Sequence, residues 1–511
     1  MNEAFARVPD LLAQHVLLSA AALMLGLAIS LPLAIWSARS ENVARVTLGF
    51  ASLVQTIPAL ALLALFYPIL LFLSRGLGGG IPALGFLPSL LALGLYALLP
   101  ILRNGVTGLV NLDPAVLQAA DGVGMTGRQK LWLVEAPLVA PVLMAGIRTA
   151  AVWTIGAATL STTVGQPSLG DLIFAGLQTQ NWTLVVVGCI ASAGLALVVD
   201  ALLGLAERGI RDRRKRQVYA SLIALALGVV VALWPVLPSG GKRVVIGAKG
   251  FSEQYILARV IGDRLEAAGY DVVYRQGLGS AVVFSALATG DIDVYVDYSG
   301  TLWTNRMHRE DVPPRKAIVA GVADWAKRKH GVGVLGALGF ENAYGFAMRE
   351  EHAKRLGIES LSDLAPVANR LAFGTDLEFL ERPEWAAVQR AYSLEFASAQ
   401  PYNPTFMYRA VASGKADVIA AFTSDGRIAA QHLRVLSDPR HAIPGYDAIL
   451  LVAPERVDDA KFVNALTPMV GAIPVDVMRR ANYMVDRPEG GASPAEAARW
   501  LERQTGLTPD E

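Results

Sequence analysis

Hydrophobic positions divide the chain into two parts with different patterns. The first part contains six apolar runs, each long enough for a helix to cross a bilayer, which takes about 20 residues. These runs lie near residues 12–36, 50–73, 83–102, 136–159, 183–206 and 218–237. The pattern predicts a membrane domain of six helical spans over residues 1–237. The first span is expected to be retained, since no clean small-residue cleavage site follows it.

The second part alternates short apolar strands with helices. A linker is predicted at residues 238–242, where proline and two glycines interrupt the pattern. Strands are then predicted at 242–247, 272–274 and 292–298, with helices at 252–268 and 280–289. This order is typical of parallel sheets covered by helices, so residues 243–511 are predicted to form an α/β domain.

Two segments of the α/β part repeat one pattern. ALATGDIDVYVDYSG starts at Ala286 and aligns with AVASGKADVIAAFTS, which starts at Ala410. The alignment pairs Gly290 with Gly414, Asp293 with Asp417 and Tyr298 with Phe422. It predicts two lobes, each with an aromatic residue at the carboxyl end of a strand, where open α/β sheets bind ligands. The alternative is two unrelated βα units that share a turn.

Composition separates the two parts further. Residues 1–242 hold 15 of the 45 Lys and Arg residues and 10 of the 44 Asp and Glu residues, which leaves 30 and 34 for residues 243–511. The first part is therefore membrane-like, and the second has the mixed charge of a soluble domain. A net charge of +1 and the lack of a basic stripe give no indication of nucleic-acid binding.

Candidate chemistry is scarce in the sequence. The single cysteine, Cys189, excludes an internal disulfide and a thiolate zinc cluster. The six histidines lack metal-ligand spacing, and no G-x-x-x-x-G-K-[ST] phosphate loop occurs. The sequence therefore predicts neither a catalytic nor a metal site, and any ATP hydrolysis must come from another subunit.

Basic residues predict the orientation of the spans. If the N-terminus is outside, only Arg7 and Arg75 lie in outer segments before the last span. The inner loops then hold Arg39, Arg45, Arg103, Arg128, Lys130 and the run from Arg208 to Arg216. The positive-inside rule favours this orientation, which places residues 113–137 in the cytoplasm and residues 243–511 outside.

Two further segments flank the fifth span. The basic run from Arg208 to Arg216 is interpreted as a topological anchor, with a lipid or nucleic-acid patch as the alternative. Residues 159–182 are amphipathic and interrupted by Gly165, Pro167 and Gly170. They are expected to lie along the outer mouth of a pore.

One polar segment, residues 113–141, interrupts the apolar part. Asp113 followed by Pro114 is typical of a helix N-cap and first position, and Gly122 and Gly124 predict the end of this short helix. A second helical run then leads into the next span. A short helix with small residues on one side suits insertion into a groove of a partner. A loop that contacts nothing is the alternative.

Residues 113–137 resemble the cytoplasmic coupling loop of bacterial ABC importer permeases. The family pattern is Glu-Ala-Ala, then a glycine four residues after the second alanine, then apolar-x-apolar-Pro. The matching residues are Gln118, Ala119, Ala120, Gly124 and Pro137. Gln118 departs from the pattern, which has glutamate there. The resemblance implies docking on a separate ATPase subunit, which would bind ATP and Mg²⁺.

The α/β part carries a second resemblance. The stretches that show it are IGAKGFSEQ, YVDYSGT, GFENAYGFAM, FLERPEW, AFTSDGR and PGYDAILL. Together they resemble the substrate-binding proteins of osmoprotectant ABC importers, which take up glycine betaine, choline, carnitine and related quaternary amines. The family includes chains in which permease and receptor are fused in this order. The resemblance implies an all-α permease followed by a two-lobed periplasmic-binding-protein-like domain of type II.

The resemblance also implies a ligand site. A quaternary ammonium cannot donate a hydrogen bond, so it is held by cation–π attraction to ring faces, worth about 0.5–2 kcal/mol. The family's aromatic cage corresponds to Tyr298, Tyr344, Phe422 and Tyr446, with Phe422 where tyrosine is common in relatives. The positions near a ligand carboxylate correspond to Lys249, Thr301 and Arg382. Without the resemblance, core aromatics and solvated surface charges are the alternative.

The resemblance implies a complete importer in a bacterial inner membrane. Its predicted partners are an ABC ATPase, a small quaternary amine, a second copy of the chain and membrane lipid. A larger betaine, such as a betaine of histidine, is the alternative substrate. A ligand-gated channel would also join an outer two-lobed domain to a pore, but it would need no ATPase. A transmembrane sensor is excluded because no predicted inner loop can hold an output domain.

Overall fold

The computed structural model describes residues 2–77, 81–178, 181–233, 243–376, 378–487 and 490–508. They form two compact units. The helical unit comprises Met1–Phe174 and Thr183–Pro238, and the α/β unit comprises Ala175–Trp182 and Ser239–Glu511. The linker predicted at 238–242 lies outside the described residues.

Long apolar helices build the first part of the chain. Five helices in the described ranges are long and apolar enough to cross a membrane, and a bent pair would add a sixth span. The helices are α1 (Asn2–Arg39), α2 (Glu41–Thr56), α3 (Ala59–Gly76), α4 (Phe86–Val110), α5 (Pro114–Gly122), α6 (Gly127–Lys130), α7 (Ala136–Ala158), α8 (Gly170–Gln178), α9 (Trp182–Arg211) and α10 (Lys215–Leu233). Helix α4 packs against α1 and α7. Close approach needs glycine at Gly146, where a Cβ would lie 2.6 Å from the Pro100 carbonyl oxygen.

The second predicted span, residues 50–73, is not one straight helix. It contains the break between α2 and α3, which are bent by 103° relative to each other. Pro58 lacks an amide hydrogen and disfavours helical backbone at Ile57, whose ψ is 126°. Only Ser40 separates α1 from α2, so Arg45 lies on a helix rather than in the predicted inner loop.

The short helix predicted after Asp113 is confirmed as α5. The Asp113 carboxylate accepts a hydrogen bond of 2.8 Å from the Ala115 amide and caps the helix. Gly124 follows with a φ of +77°, a left-handed conformation that favours glycine. Thr126 then begins α6 with a capping box to Gln129.

A single π-helical turn, Leu131–Glu135, joins α6 to α7. Pro137 lies at the second position of α7, directly after this π-helical turn. The segment predicted at the outer mouth contains a 3₁₀ turn, Thr159–Val164, and α8, with Gly165 between them at a φ of +78°. Residues 179–180 of that segment lie outside the described ranges.

The α/β unit contains ten strands and twelve helices in the described ranges. The strands are β1 (Arg243–Lys249), β2 (Asp271–Leu278), β3 (Val294–Tyr298), β4 (Gly333–Glu341), β5 (Tyr344–Arg349), β6 (Ala372–Thr375), β7 (Ser398–Pro401), β8 (Val418–Phe422), β9 (Leu433–Val435) and β10 (Asp447–Val452). The helices are α11 (Ser252–Ala267), α12 (Ser280–Ala288), α13 (Ser299–Thr301), α14 (Arg315–His330), α15 (Glu350–Leu356), α16 (Leu361–Leu364), α17 (Pro383–Tyr392), α18 (Pro404–Ala412), α19 (Arg427–Ala430), α20 (Ala460–Leu466), α21 (Val475–Asp486) and α22 (Pro494–Thr505).

These strands form two five-stranded sheets, one for each lobe. The first lobe has the order β2-β1-β3-β10-β4, and the second has β7-β6-β8-β5-β9. The parallel pairing expected from the βαβ order is present among β1, β2 and β3 and among β6, β7 and β8, whereas β10 and β5 run antiparallel to their neighbours. Each of these strands enters its sheet after the chain has crossed from the other lobe. No βαβ connection links such a strand to its neighbour in the sheet, and it is this connection that makes sequential strands parallel.

The internal repeat is confirmed in detail. Gly290 and Gly414 both end a helix with positive φ, at +78° and +75°. Asp293 accepts a hydrogen bond from an amide of the neighbouring β1 at 2.6 Å, and Asp417 accepts one from β6 at 2.9 Å. Strands β3 and β8 therefore occupy equivalent positions in the two sheets.

An aromatic cluster supports the second lobe below the ligand-binding edge of its sheet. The rings of Phe346 and Phe373 stack at 5.4 Å, and Phe373 stacks on Phe396 at 4.5 Å. Phe379 packs against this cluster and lies 4.6 Å from the ring of Tyr344. The buried cluster thereby fixes the position of Tyr344.

Candidate ligand site and coupling segment

A cavity of about 230 Å³ lies between the two lobes. It is lined by all seven residues predicted for the ligand: Lys249, Tyr298, Thr301, Tyr344, Arg382, Phe422 and Tyr446. The sheets explain part of this convergence. Tyr344 starts β5 and is paired with Phe422 at the end of the antiparallel β8, so both side chains reach one edge of the second sheet.

Five aromatic rings form a continuous wall of the cavity. Phe251 lies between Tyr298 and Phe422, with ring centres 6.2 Å and 6.1 Å away. The Tyr344 ring lies 5.2 Å from that of Phe422 and 6.2 Å from that of Tyr446, which it meets edge-on at 89°. Such a wall presents several ring faces and edges to one small volume.

Burial keeps the three tyrosines of this wall neutral. It raises the pKa of Tyr298, Tyr344 and Tyr446 well above the ordinary value for tyrosine. Their hydroxyls therefore remain protonated and act as hydrogen-bond donors.

Tyr298 is held by a buried network beside the cavity. Its hydroxyl donates to Glu253 Oε1 at 2.6 Å and accepts from Gln254 Nε2 at 3.0 Å. Glu253 also accepts from the side-chain amides of Asn342, at 3.1 Å, and Asn482, at 2.9 Å. Burial raises the pKa of Glu253, and these donors oppose that effect.

Tyr446 is held in a similar way, but across the lobes. Its hydroxyl donates to Glu384 Oε1, on α17 of the second lobe. Thr304 of the first lobe donates to the same oxygen at 2.8 Å. Two hydrogen bonds from one lobe to a buried carboxylate of the other hold the lobes together.

Arg382 is the buried cation of the second-lobe wall. Its Nη2 donates to Glu378 Oε2 at 2.8 Å, and its guanidinium carbon lies 5.2 Å from the centre of the Tyr344 ring. Its Nη1 also lies in an ion pair of 3.7 Å with Glu384 Oε1, but Nε and Nη1 are buried and have no hydrogen-bond partner in the described part of the chain. Since a buried guanidinium group favours charge-assisted bonds, these atoms can accept an anionic group as their partner.

Lys249 and Thr301 line the first-lobe wall. The Lys249 ammonium group forms a buried ion pair with Asp297 and lies 5.3 Å from the centre of the Tyr298 ring. Its charge is therefore already balanced within the protein. The start of α12, at Gly279 and Ser280, also lines the cavity. The N-terminal end of a helix favours anionic groups.

Sequence reasoning missed three residues around this cavity. Phe251 lies within the quoted stretch IGAKGFSEQ, but an aromatic that follows a strand and precedes a helix carries no signal of its own. Glu253 and Glu384 are buried behind tyrosines, with 2% and 1% of their surface exposed. Glutamate in a helix is usually solvated, so nothing in the local pattern indicated these positions.

The segment of residues 113–137 presents a largely exposed surface. Gln118, Ala119, Gly124 and Pro137 are exposed, whereas Ala120 is buried. Apolar side chains are exposed on the same segment, including Val123 and Trp132 at 74% and 71%. An ion pair of 3.3 Å between Arg39 and Glu135 joins the end of α1 to the π-helical turn.

Known families match both parts of the chain. Residues 242–503 match the substrate-binding domain of the ABC-type glycine betaine transport system, and residues 30–212 match the inner membrane component of binding-protein-dependent transport systems. The chain belongs to the glycine betaine family of ABC importers. It combines the permease and the substrate-binding protein of an osmoprotectant importer, so both parts serve transport rather than catalysis.

Individual relatives agree with this assignment. The ergothioneine transport permease/ergothioneine binding protein EgtU of Helicobacter pylori is 30% identical over 457 residues, which is 86% of this importer chain and 80% of EgtU. The glycine betaine/carnitine/choline permease protein OpuCB of Bacillus subtilis is 37% identical over 200 residues, which is 39% of this chain and 87% of OpuCB. A solved glycine betaine/carnitine/choline ABC transporter structure is 26% identical, with a TM-score of 0.46. It covers 52% of this chain and 99% of the solved chain.

Proposed function

We propose that this importer chain captures a quaternary amine with a carboxylate group in the cavity between its lobes and passes it through its own membrane domain. The cage of Tyr298, Tyr344, Phe422 and Tyr446, with Phe251 added, would hold the ammonium group by cation–π attraction. Arg382 would bind the carboxylate with the N–H groups of Nε and Nη1, and Thr301 would add a hydroxyl donor.

The observation that carries this proposal is the convergence, on one cavity of about 230 Å³, of an aromatic wall and a buried guanidinium group, two of whose nitrogens have no hydrogen-bond partner in the described part of the chain. A zwitterion with a bulky cationic head requires both features at a short separation. Because Lys249 is paired with Asp297, we assign it to the support of Tyr298 rather than to the carboxylate.

Two substrate classes are consistent with this site. Glycine betaine, carnitine and choline are named for the OpuCB relative, and ergothioneine is named for EgtU. Ergothioneine is a betaine of a histidine derivative and carries the same trimethylammonium and carboxylate groups. Since EgtU shares the fused arrangement of this chain, ergothioneine belongs among the substrates to be tested first.

Energy would come from a separate ABC ATPase that binds ATP and Mg²⁺ and docks on residues 113–137. Gln118, Ala119 and Gly124 would form the docked surface, the buried Ala120 would support it from below, and Pro137 would fix the start of the next span. Two copies of the chain would pair in the inner membrane, with the α/β unit on the periplasmic side.

Uptake by reconstituted proteoliposomes tests this function. The chain and its ATPase are incorporated together, and radiolabelled glycine betaine, carnitine, choline and ergothioneine are offered on the side of the α/β unit. Accumulation of one of them only with ATP supports the importer. Equal flux without ATP, or without the ATPase subunit, would support a ligand-gated channel instead.

A further inference from the structure

Two tyrosines of the aromatic wall donate hydrogen bonds from their hydroxyls to carboxylates that do not themselves line the cavity. Tyr298 donates to Glu253, and Tyr446 donates to Glu384. Both carboxylates are almost completely buried. The same arrangement therefore occurs twice, once with a carboxylate of the first lobe and once with a carboxylate of the second.

The hydrogen-bond donors around Glu253 favour its ionised form and oppose the burial that raises its pKa. Oε1 accepts from the Tyr298 hydroxyl and from Asn342 Nδ2, and Oε2 accepts from Asn482 Nδ2. The orientation of the Asn482 amide is supported by a second hydrogen bond, from its Nδ2 to the Ser424 carbonyl oxygen at 3.0 Å. Donors reach both oxygens of Glu253, which is the environment that stabilises a buried negative charge.

The negative charge of Glu253 acts on the Tyr298 ring, which already has a cation beside it. The Lys249 ammonium group already lies 5.3 Å from the centre of this ring, and a second cation on the ring would meet electrostatic repulsion. Asp297 neutralises Lys249 directly. Glu253 then supplies one further negative charge at the hydroxyl end of the same ring.

We propose that Glu253 and Glu384 are positioning residues that make the cavity selective for positive charge, by accepting hydrogen bonds from the hydroxyls of Tyr298 and Tyr446 and so enriching both rings in electrons. Cation–π attraction is electrostatic and grows with the electron density of the ring face. A phenol polarised by a carboxylate in a low-dielectric site has a more negative ring than an isolated phenol. This inference rests on the proposed function, since it concerns the same cavity.

The test compares a ligand with its carbon isostere, in which a tert-butyl group replaces the trimethylammonium group. For glycine betaine the isostere is 3,3-dimethylbutyrate. Both are titrated calorimetrically into the detergent-solubilised full chain as wild type and Glu253→Gln, with Glu266→Gln, an exposed glutamate of the same helix, as the matched control. Glu253→Gln is expected to weaken binding of the cation about tenfold and binding of the isostere less than twofold. Equal weakening of both would show a merely structural role and overturn the inference.

A second variant keeps the test decisive if Glu253→Gln disturbs folding. Tyr298→Phe keeps the ring and the carboxylate but removes the hydrogen bond between them. We expect it to reduce the preference for the cation over the isostere about threefold to tenfold, and an unchanged preference would contradict the inference.

If the wild type binds none of glycine betaine, choline, carnitine and ergothioneine, the proposed function fails and this inference fails with it. If the wild type binds and the preference does not move, only the inference fails.

Discussion

The Tyr446 hydroxyl donates a hydrogen bond to Glu384, and so a residue that precedes β10 in the first lobe holds a residue of α17 in the second. Thr304 donates to the same Glu384 oxygen at 2.8 Å. The ring of Tyr446 faces the ligand cavity while its hydroxyl joins the lobes. The wall of the cavity and the contact between the lobes therefore share one side chain.

Replacing Thr304 with valine should weaken ligand binding without a change in the cavity lining. The variant keeps the shape of the side chain and loses one hydrogen bond to a buried carboxylate, which contributes about 1–2 kcal/mol to the closed state. We expect a fivefold to thirtyfold rise in the dissociation constant by calorimetry. Thr467→Val is the matched control, because Thr467 is exposed and its hydroxyl donates to the Val463 carbonyl oxygen of the preceding helix, α20. Equal affinities of the two variants would contradict a closing role for Glu384.

Replacing Arg382 with lysine should separate ligands by their carboxylate. Lysine keeps the positive charge but cannot offer two parallel N–H donors. Binding of glycine betaine is expected to weaken about tenfold or more, while binding of choline, which has no carboxylate, should change less than threefold. The control is Arg390→Lys on α17, where 64% of the side chain is exposed. A similar loss for both ligands would assign Arg382 to the structure of the lobe instead.

Replacing Gly124 with valine should abolish uptake and leave ligand binding intact. No neighbouring atom would meet a Cβ at this position, so the effect would come from the φ of +77°, which a β-branched residue rarely adopts. Gly122→Val is the matched control, because a Cβ there also meets open space and the φ is not left-handed. Uptake and binding are measured side by side on both variants. We expect a more than tenfold loss of uptake for Gly124→Val alone, and equal losses would refute a requirement for the left-handed turn.

The stability of the α/β unit should fall as the pH rises through the titration of Glu502. Burial, with a contribution from nearby Asp263, raises the pKa of Glu502 to about 7 from an ordinary value near 4.5. The folded state then binds more protons than the unfolded state between these values, so unfolding becomes easier as the pH increases from about 4.5 to 7.

Glu502→Gln removes this titration and keeps the size of the side chain. Thermal unfolding of the full chain at pH 5 and pH 8 should show a smaller pH-dependent drop for the variant than for the wild type. Glu351→Gln, at an exposed glutamate of α15, should retain the drop of the wild type. A drop in Glu502→Gln that equals the wild-type drop would contradict the raised pKa.

Local sequence signals predicted the elements that depend on short-range chemistry. Asp113 and Pro114 predicted the start of α5, and the repeated glycine and aspartate positions predicted that β3 and β8 are equivalent. These features follow from capping, turn geometry and periodicity, which neighbouring residues determine.

Long-range features escaped prediction for physical reasons. The antiparallel placement of β5 and β10 depends on the two crossings between lobes, which leave no local pattern. The break at Pro58 lies inside a run that is apolar throughout, so hydropathy alone cannot detect it. Glu253 and Glu384 are buried only because side chains distant in sequence donate to them.

The most direct test of the account is calorimetric titration of the full chain with glycine betaine, choline, carnitine and ergothioneine, on wild type, Phe422→Ala and Phe406→Ala. Phe422 lies in the aromatic wall, whereas Phe406 is an exposed phenylalanine outside the cavity lining. Loss of one ring face should cost about 0.5–2 kcal/mol, so the account predicts binding of at least one ligand that weakens about twofold to thirtyfold in Phe422→Ala and stays unchanged in Phe406→Ala. No binding of any quaternary amine by the wild type, or equal affinities in all three proteins, would contradict the aromatic cage.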